Sequence, residues 1–145
     1  MASVLIVDDE QPIRHLVGRW LGDAGYEFAE AEDADAALAA MIVKPAAVAF
    51  CDVQMPGHDG IWLTRQLRAN YPTTAVVLAT GVTTVPQNVS MQSGVLAYLV
   101  KPFRRETLLD ALLQALAWHN EAVSSGAGAP DTSVLDKWLE SLDTE

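Results

Sequence analysis

The sequence predicts an α/β fold: a doubly wound, five-stranded parallel sheet with helices on both faces. Two observations carry this. Short β-rich runs alternate five times with segments of helical periodicity, joined by short connections, which is the pattern of a parallel sheet wound by crossovers. In addition, Val4–Val7 and Val48–Cys51 are apolar throughout rather than alternating, as strands buried on both faces are, and the second run stops at the carboxylate of Asp52.

The elements follow in order. Val4–Val7 is a short strand ending in Asp8-Asp9-Glu10. Pro12 opens the first helix in its first turn, where a missing N–H costs nothing. Ile13, Leu16, Val17, Trp20 and Leu21 recur at helical spacing along one stripe, and Gly25 marks the end. Tyr26–Ala31 is a weaker strand, expected nearer an edge. Asp33–Val43 is an Ala-rich helix with Leu38, Met41 and Ile42 expected inward, and Pro45 prevents its continuation. Val48–Asp52 is the third strand. Gly60–Asn70 is a helix with Ile61, Leu63 and Leu67 toward the core, broken by Tyr71-Pro72.

Ala75–Thr80 is the fourth strand, ending at Thr80-Gly81. The polar segment 83–93 reads as a weak fourth helix in which Pro86 fits only the first turn. Leu96–Val100 is the fifth strand, ending at Lys101-Pro102. Arg104–Ala122 is a long fifth helix with Leu108, Leu109, Leu112, Leu113 and Leu116 as its apolar stripe. Composition then changes. Residues 123–133 have the Gly/Ala/Ser character of a flexible linker. Residues 134–145 carry Val134, Leu135, Trp138, Leu139 and Leu142 on one face of a short amphipathic helix. About ten residues do not hold a helix alone in water, so this tail is expected to dock, near the long fifth helix in cis or across a dimer, or to begin a further domain.

A chain of 145 residues, half of them apolar, is long enough for one core in residues 1–122. No run spans a bilayer and no segment resembles a signal peptide, so a soluble, cytoplasmic protein is expected. The net charge of −10 disfavours direct nucleic-acid binding, which Lys and Arg drive by releasing counterions. Cys51 is the single cysteine; inside an apolar run it reads as a small buried hydrophobe. His15, His58 and His119 lack metal-ligand spacing.

Chemistry gathers at the strand ends. In a parallel sheet Asp8 and Asp9, Asp52, Thr80 and Lys101 arrive at one rim, where open α/β sheets bind ligands. Three carboxylates together repel unless a cation sits among them. That number of hard oxygen ligands suits Mg²⁺, which is often completed by phosphate oxygens. Lysine adds a point charge for an anion and threonine a hydroxyl donor. The set describes a phosphoryl-transfer site with Asp52 as carboxylate nucleophile. Alone, each residue has a plain reading: a solvated acidic turn, a strand end, a surface lysine, a half-buried packing tyrosine at 98. Their convergence argues for the site.

Ile6-Val7-Asp8-Asp9-Glu10, Asp52-Val53-Gln54-Met55-Pro56-Gly57-His58-Asp59-Gly60, Ala79-Thr80-Gly81 and Tyr98-Leu99-Val100-Lys101-Pro102-Phe103 resemble the receiver domain of two-component response regulators. The resemblance covers residues 2 to about 122 in order and spacing. It implies a flavodoxin-like sheet of strand order 2-1-3-4-5. It implies that Asp52 accepts a phosphoryl group from a histidine kinase or phosphotransfer protein. It further implies that Asp9 binds Mg²⁺ directly, with Asp8 near or through water, and that Asp52 and the main-chain carbonyl of Gln54 complete the metal site. Lys101 would pair with the phosphoryl oxygens, with a cis bond to Pro102. Thr80 and Tyr98 would form the switch.

The readout face implied is helix four, strand five and helix five, including Tyr98, Arg104 and Arg105. Arg104 and Arg105 oppose the helix dipole in a first turn, which favours their use by a partner. Function is then that of a phosphoacceptor receiver that switches a protein-interaction face, a homodimer being possible, with only self-directed phosphoryl transfer and autodephosphorylation. Two alternatives stand beside it. One is the N-terminal receiver of a longer regulator with an enzymatic or DNA-binding output. The other is a Mg²⁺-dependent phosphohydrolase with an Asp nucleophile.

Overall fold

The computed structural model describes residues 3–81 and 94–125. The elements are β1 (Ser3–Val7), α1 (Gln11–Asp23), β2 (Glu27–Ala31), α2 (Ala34–Val43), β3 (Val48–Asp52), α3 (Gly60–Asn70), β4 (Ala75–Thr80), β5 (Val95–Val100) and α4 (Arg105–Ser124). The expected helix over 83–93, the linker and the tail lie outside the described residues. The expected long fifth helix is α4.

The strands form one parallel sheet in the order β2-β1-β3-β4-β5. Side chains alternate between its faces. Leu5, Val7, Ala49, Cys51, Val76 and Leu78 face α2 and α3 with Met41, Leu63 and Leu67. Val4, Ile6, Val48, Phe50, Val77 and Ala79 face α1 and α4 with Val17, Leu21, Leu108 and Leu112. Two cores on one sheet explain why the central strands are apolar over Val4–Val7, Val48–Cys51 and Ala75–Ala79. Every residue of β3 and β4 is buried, whereas the first four residues of the edge strand β2 are exposed.

Local chemistry sets the helix starts. Asp33 Oδ1 accepts from the Ala36 N–H at 2.8 Å, and Asp59 Oδ1 accepts from the Trp62 N–H at 2.8 Å; each satisfies an orphan donor of a first turn. Pro12 lies in the first turn of α1. At Gly94, φ is +95° and a Cβ would meet the Arg68 guanidinium, so only glycine suits the entry to β5. Arg68 donates to the carbonyls of Pro72 and Thr74 and lies 5.4 Å from the centre of the Trp118 ring.

Three expected core residues are exposed: Leu16, Ile42 and Leu113. The buried side of α2 is Ala34, Ala37 and Met41, and Ile42 falls about 100° round the helix from Met41. In α4 the stripe is Leu108, Ala111, Leu112 and Ala115; small alanines carry the close approach, so Leu113 turns outward. In α1 the stripe runs through Val17, Gly18 and Leu21, with the Phe28 ring against Gly18, and Leu16 stands at its margin. Among the described residues no helix is long and apolar enough to cross a membrane.

Candidate functional site

The C-terminal ends of β1, β3, β4 and β5 form one rim. After β1, Asp8 continues the ladder by donating its N–H to the Ala31 carbonyl at 3.1 Å. Its Oδ1 accepts from the Glu10 N–H at 2.9 Å, which closes the acidic turn ahead of α1. Arg14 donates to the Asp8 carbonyl at 2.7 Å and pairs with Glu30 at 3.3 Å, fixing the same turn from outside.

After β3, the Val53 N–H donates to the Ala79 carbonyl at 2.8 Å, and the Gly60 N–H donates to the Val53 carbonyl at 3.0 Å. The loop thus folds back on its own strand. A Cβ at position 60 would run into the backbone carbonyl of Asp52, so glycine is the residue that lets α3 start there. His58 in this loop stacks on Trp62, with ring centres 3.7 Å apart and planes 11° from parallel.

Lys101 joins the strands. Its N–H donates to the Thr80 carbonyl at 2.7 Å, and its bond to Pro102 is cis. Its Nζ lies 2.7 Å from Asp8 Oδ2, 3.4 Å from Glu10 Oε1 and 3.5 Å from Asp52 Oδ2. Asp8 and Asp52 are each 4% exposed; Asp9 and Glu10 are exposed. The floor is therefore dry and the rim wet. Gln54 touches Asp52 through its N–H, 3.3 Å from Oδ1.

The electrostatics follow from this crowding. The Asp52 carboxyl is pushed up to about 6, first by burial and then by the neighbouring Asp8 charge, while Lys101 and the Gln54 N–H pull it back. For Lys101, burial disfavours the charge, but the hydrogen bond to Asp8 and the charges of Asp52, Asp8 and Glu10 outweigh it, and its pKa lies above the ordinary value. The Cys51 thiol is pushed up to about 12 by burial, with Asp52 adding to the effect; it is no nucleophile at neutral pH. The Tyr98 hydroxyl is raised by burial and drawn back by its hydrogen bond with Thr80.

Of the residues singled out in the sequence, Asp8, Asp52 and Lys101 are in direct contact, and Asp9 stands at the same rim. Thr80 is buried at the end of β4 and bonded to Tyr98 on β5. Arg104 and Arg105 are exposed at the start of α4. Glu10 was not among the expected site residues, although its place beside Asp8-Asp9 was a signal for it. One oxygen each from Asp8, Asp9, Glu10 and Asp52 lie within 4.8 Å of one another. One lysine does not balance four carboxylates, and an all-oxygen donor set with two buried and two solvated members fits a hard divalent cation such as Mg²⁺.

Comparison with known proteins places this chain in a wider group. The family profile described as the response regulator receiver domain matches residues 4–113. The chain is 37% identical over 110 residues to the response regulator protein FleR of Pseudomonas aeruginosa, covering 75% of the chain and 23% of FleR. It is 32% identical over 119 residues to the DNA-binding transcriptional regulator NtrC of Salmonella typhimurium, covering 81% of the chain and 25% of NtrC. The chain thus spans about a quarter of the length of these two relatives. The chemotaxis protein CheY4 of Vibrio cholerae superposes with a TM-score of 0.72 at 38% identity, over 80% of this chain and 99% of that one. NtrX of Brucella abortus does so with 0.78 at 32% identity, over 87% and 30%.

Proposed function

Because the chain belongs to the response regulator receiver domain family, we propose that Asp52 is its phosphoacceptor, charged by the phosphohistidine of a histidine kinase or phosphotransfer protein. A carboxylate oxygen of Asp52 bonds to phosphorus as the phosphorus–nitrogen bond of the donor breaks, and the electron pair stays on the imidazole. The observation that carries this reading is the buried Asp52 held between Asp8 and Lys101, with Nζ 3.5 Å from Oδ2. A raised carboxyl in a dry floor is a group that gains from acquiring a counter-charge.

Asp9, Asp52, the Gln54 main-chain carbonyl and Asp8, directly or through water, are the ligands we assign to Mg²⁺. When bound, the ion would supply positive charge to the phosphoryl oxygens. Lys101 neutralises the same oxygens from the β5 side, and the protein's contribution is positioning and charge. The new phosphate adds nearly two negative charges. Thr80, at the end of β4 beside β3, is the hydroxyl we assign to answer it, and its existing bond to Tyr98 couples that answer to β5. The readout face would then include Tyr98, Arg104 and Arg105, presented to a protein target, to a second copy or to an output segment.

The partial coverage of FleR and NtrC supports the reading of a receiver within a longer regulator alongside that of a stand-alone one, and the family match favours both over a phosphohydrolase. A cytoplasmic setting and protein rather than nucleic-acid partners belong to the same proposal, in line with the charge of −10. Beryllium fluoride with Mg²⁺ tests it: amide resonances around Asp52, Thr80 and Lys101 should shift in the wild-type chain. The same titration leaving the spectrum unchanged contradicts the proposal.

A further inference from the structure

The end of the sheet opposite the site carries an unexplained apolar groove. It is lined by Val4, Tyr26, Phe28, Ala29, Ala40 and Val43, with Lys44 and Glu27 on its edge, and encloses about 530 Å³. Phe28 is 39% exposed and Val43 87% exposed. Lys44 and Glu27 pair with each other at 3.1 Å, so the edge is polar around an apolar floor. The groove also holds Val43, a large apolar side chain that neither face of the core uses.

We propose that residues 134–145 of this same chain dock there as an amphipathic helix. Three observations select this occupant. First, the tail has an apolar stripe of Val134, Leu135, Trp138, Leu139 and Leu142, too short to be helical without a partner surface. Second, α4 ends at Ser124 on the correct side. His119, in its last turns, lies with Nδ1 2.6 Å from the Thr73 carbonyl, just before β4 begins. From there a cleft lined by His119, Thr73, Ala47, Ala46, Lys44 and Ser3 runs into the groove, with which it shares Ser3, Lys44 and Ala46.

Third, the span matches. From β4 to β2 is three strand positions, on the order of 15 Å at about 4.8 Å each. Residues 126–133 extend to roughly 25 Å at about 3.3 Å per residue. The large aromatic of α4, Trp118, already carries Arg68 against its ring. This inference concerns the end of the molecule remote from Asp52 and does not depend on phosphorylation.

Cysteine cross-linking on the full chain tests it. Cys51 is buried and does not compete for a short bis-maleimide. The pair Val43→Cys with Leu139→Cys should cross-link within one chain about tenfold faster than Leu113→Cys with Leu139→Cys, because docking raises the effective concentration at the groove alone. Leu113 is also exposed, on α4. Adding Ala29→Glu, at an exposed residue of the groove, should abolish the difference while circular dichroism stays unchanged. Equal rates for the two pairs overturn the proposal. A product formed only between chains also overturns it and assigns the groove to a second copy.

Discussion

Lys101 Nζ lies closer to Asp8, at 2.7 Å, than to Asp52, at 3.5 Å. Among the described residues Lys101 is the cation of the floor; it is therefore shared, and its closer partner is not the proposed acceptor. This ranking has measurable consequences.

Lys101→Ala leaves the Asp8 and Asp52 carboxylates facing each other without compensation. Uncompensated buried charge is costly, so in metal-free buffer the variant should lose about 1–3 kcal/mol in urea unfolding. Removing a competing cation should also tighten Mg²⁺ binding about threefold or more, read by isothermal titration. Unchanged stability together with unchanged metal affinity would place Lys101 outside the cluster's balance.

The raised Asp52 carboxyl fixes a pH dependence. The folded state holds this proton up to about 6, against an ordinary value of 3.8. Between those values the folded state binds more protons than the unfolded one, so stability falls as pH rises through the window. The full penalty, about 1–3 kcal/mol at roughly 1.4 kcal/mol per pH unit, is present above about pH 6. Asp52→Asn removes it. Without metal, the variant should therefore be more stable than wild type at about pH 8, and the two should converge below about pH 4.

Mg²⁺ should narrow that same gap at about pH 8, because it binds native wild type and stabilises by mass action. Thermal unfolding with and without the ion checks it. A metal-induced rise in Tm equal in wild type and Asp52→Asn would remove Asp52 from the ligand set.

Gly60→Ala should destabilise by about 2 kcal/mol or more, since the new methyl meets the Asp52 carbonyl backbone rather than a side chain that can turn away. Acceptor activity should fall with it, as the loop that follows Asp52 is displaced. Denaturant unfolding gives the first number and phosphorylation rate the second.

Thr80→Val keeps the shape and deletes the hydroxyl bonded to Tyr98. The cost should be modest, about 0.5–1.5 kcal/mol. The Tyr98 phenol, deprived of the interaction that lowers its pKa, should titrate higher, as followed by carbon-13 NMR of labelled tyrosine. An unmoved Tyr98 titration would separate the two residues.

How much of this was legible in the sequence depends on what each residue touches. Val4–Val7 and Val48–Cys51 read as strands because burial on both faces demands apolar side chains at every position. Asp8, Asp9, Asp52, Thr80 and Lys101 could be gathered at one rim because a parallel sheet brings all its strand ends together. Side-chain direction on helices was less legible. Ile42 and Leu113 looked like core by chemistry, yet Ala37 and Ala115 hold the buried positions, because a helix lying close to a sheet selects small residues there. Glu10 is legible only as the third acid of the Asp8-Asp9-Glu10 run; its contact with Lys101, 91 residues away, is not encoded by any local pattern.

The central claim is that Asp52 accepts the phosphoryl group. The most direct measurement is mass spectrometry of the full chain after incubation with acetyl phosphate and Mg²⁺, with borohydride reduction to mark the acyl phosphate. The account predicts one phosphoryl group per wild-type chain, reduction at residue 52, and no modification of Asp52→Asn. Labelling of Asp52→Asn at the wild-type rate, or reduction at another carboxylate in the wild type, would contradict it.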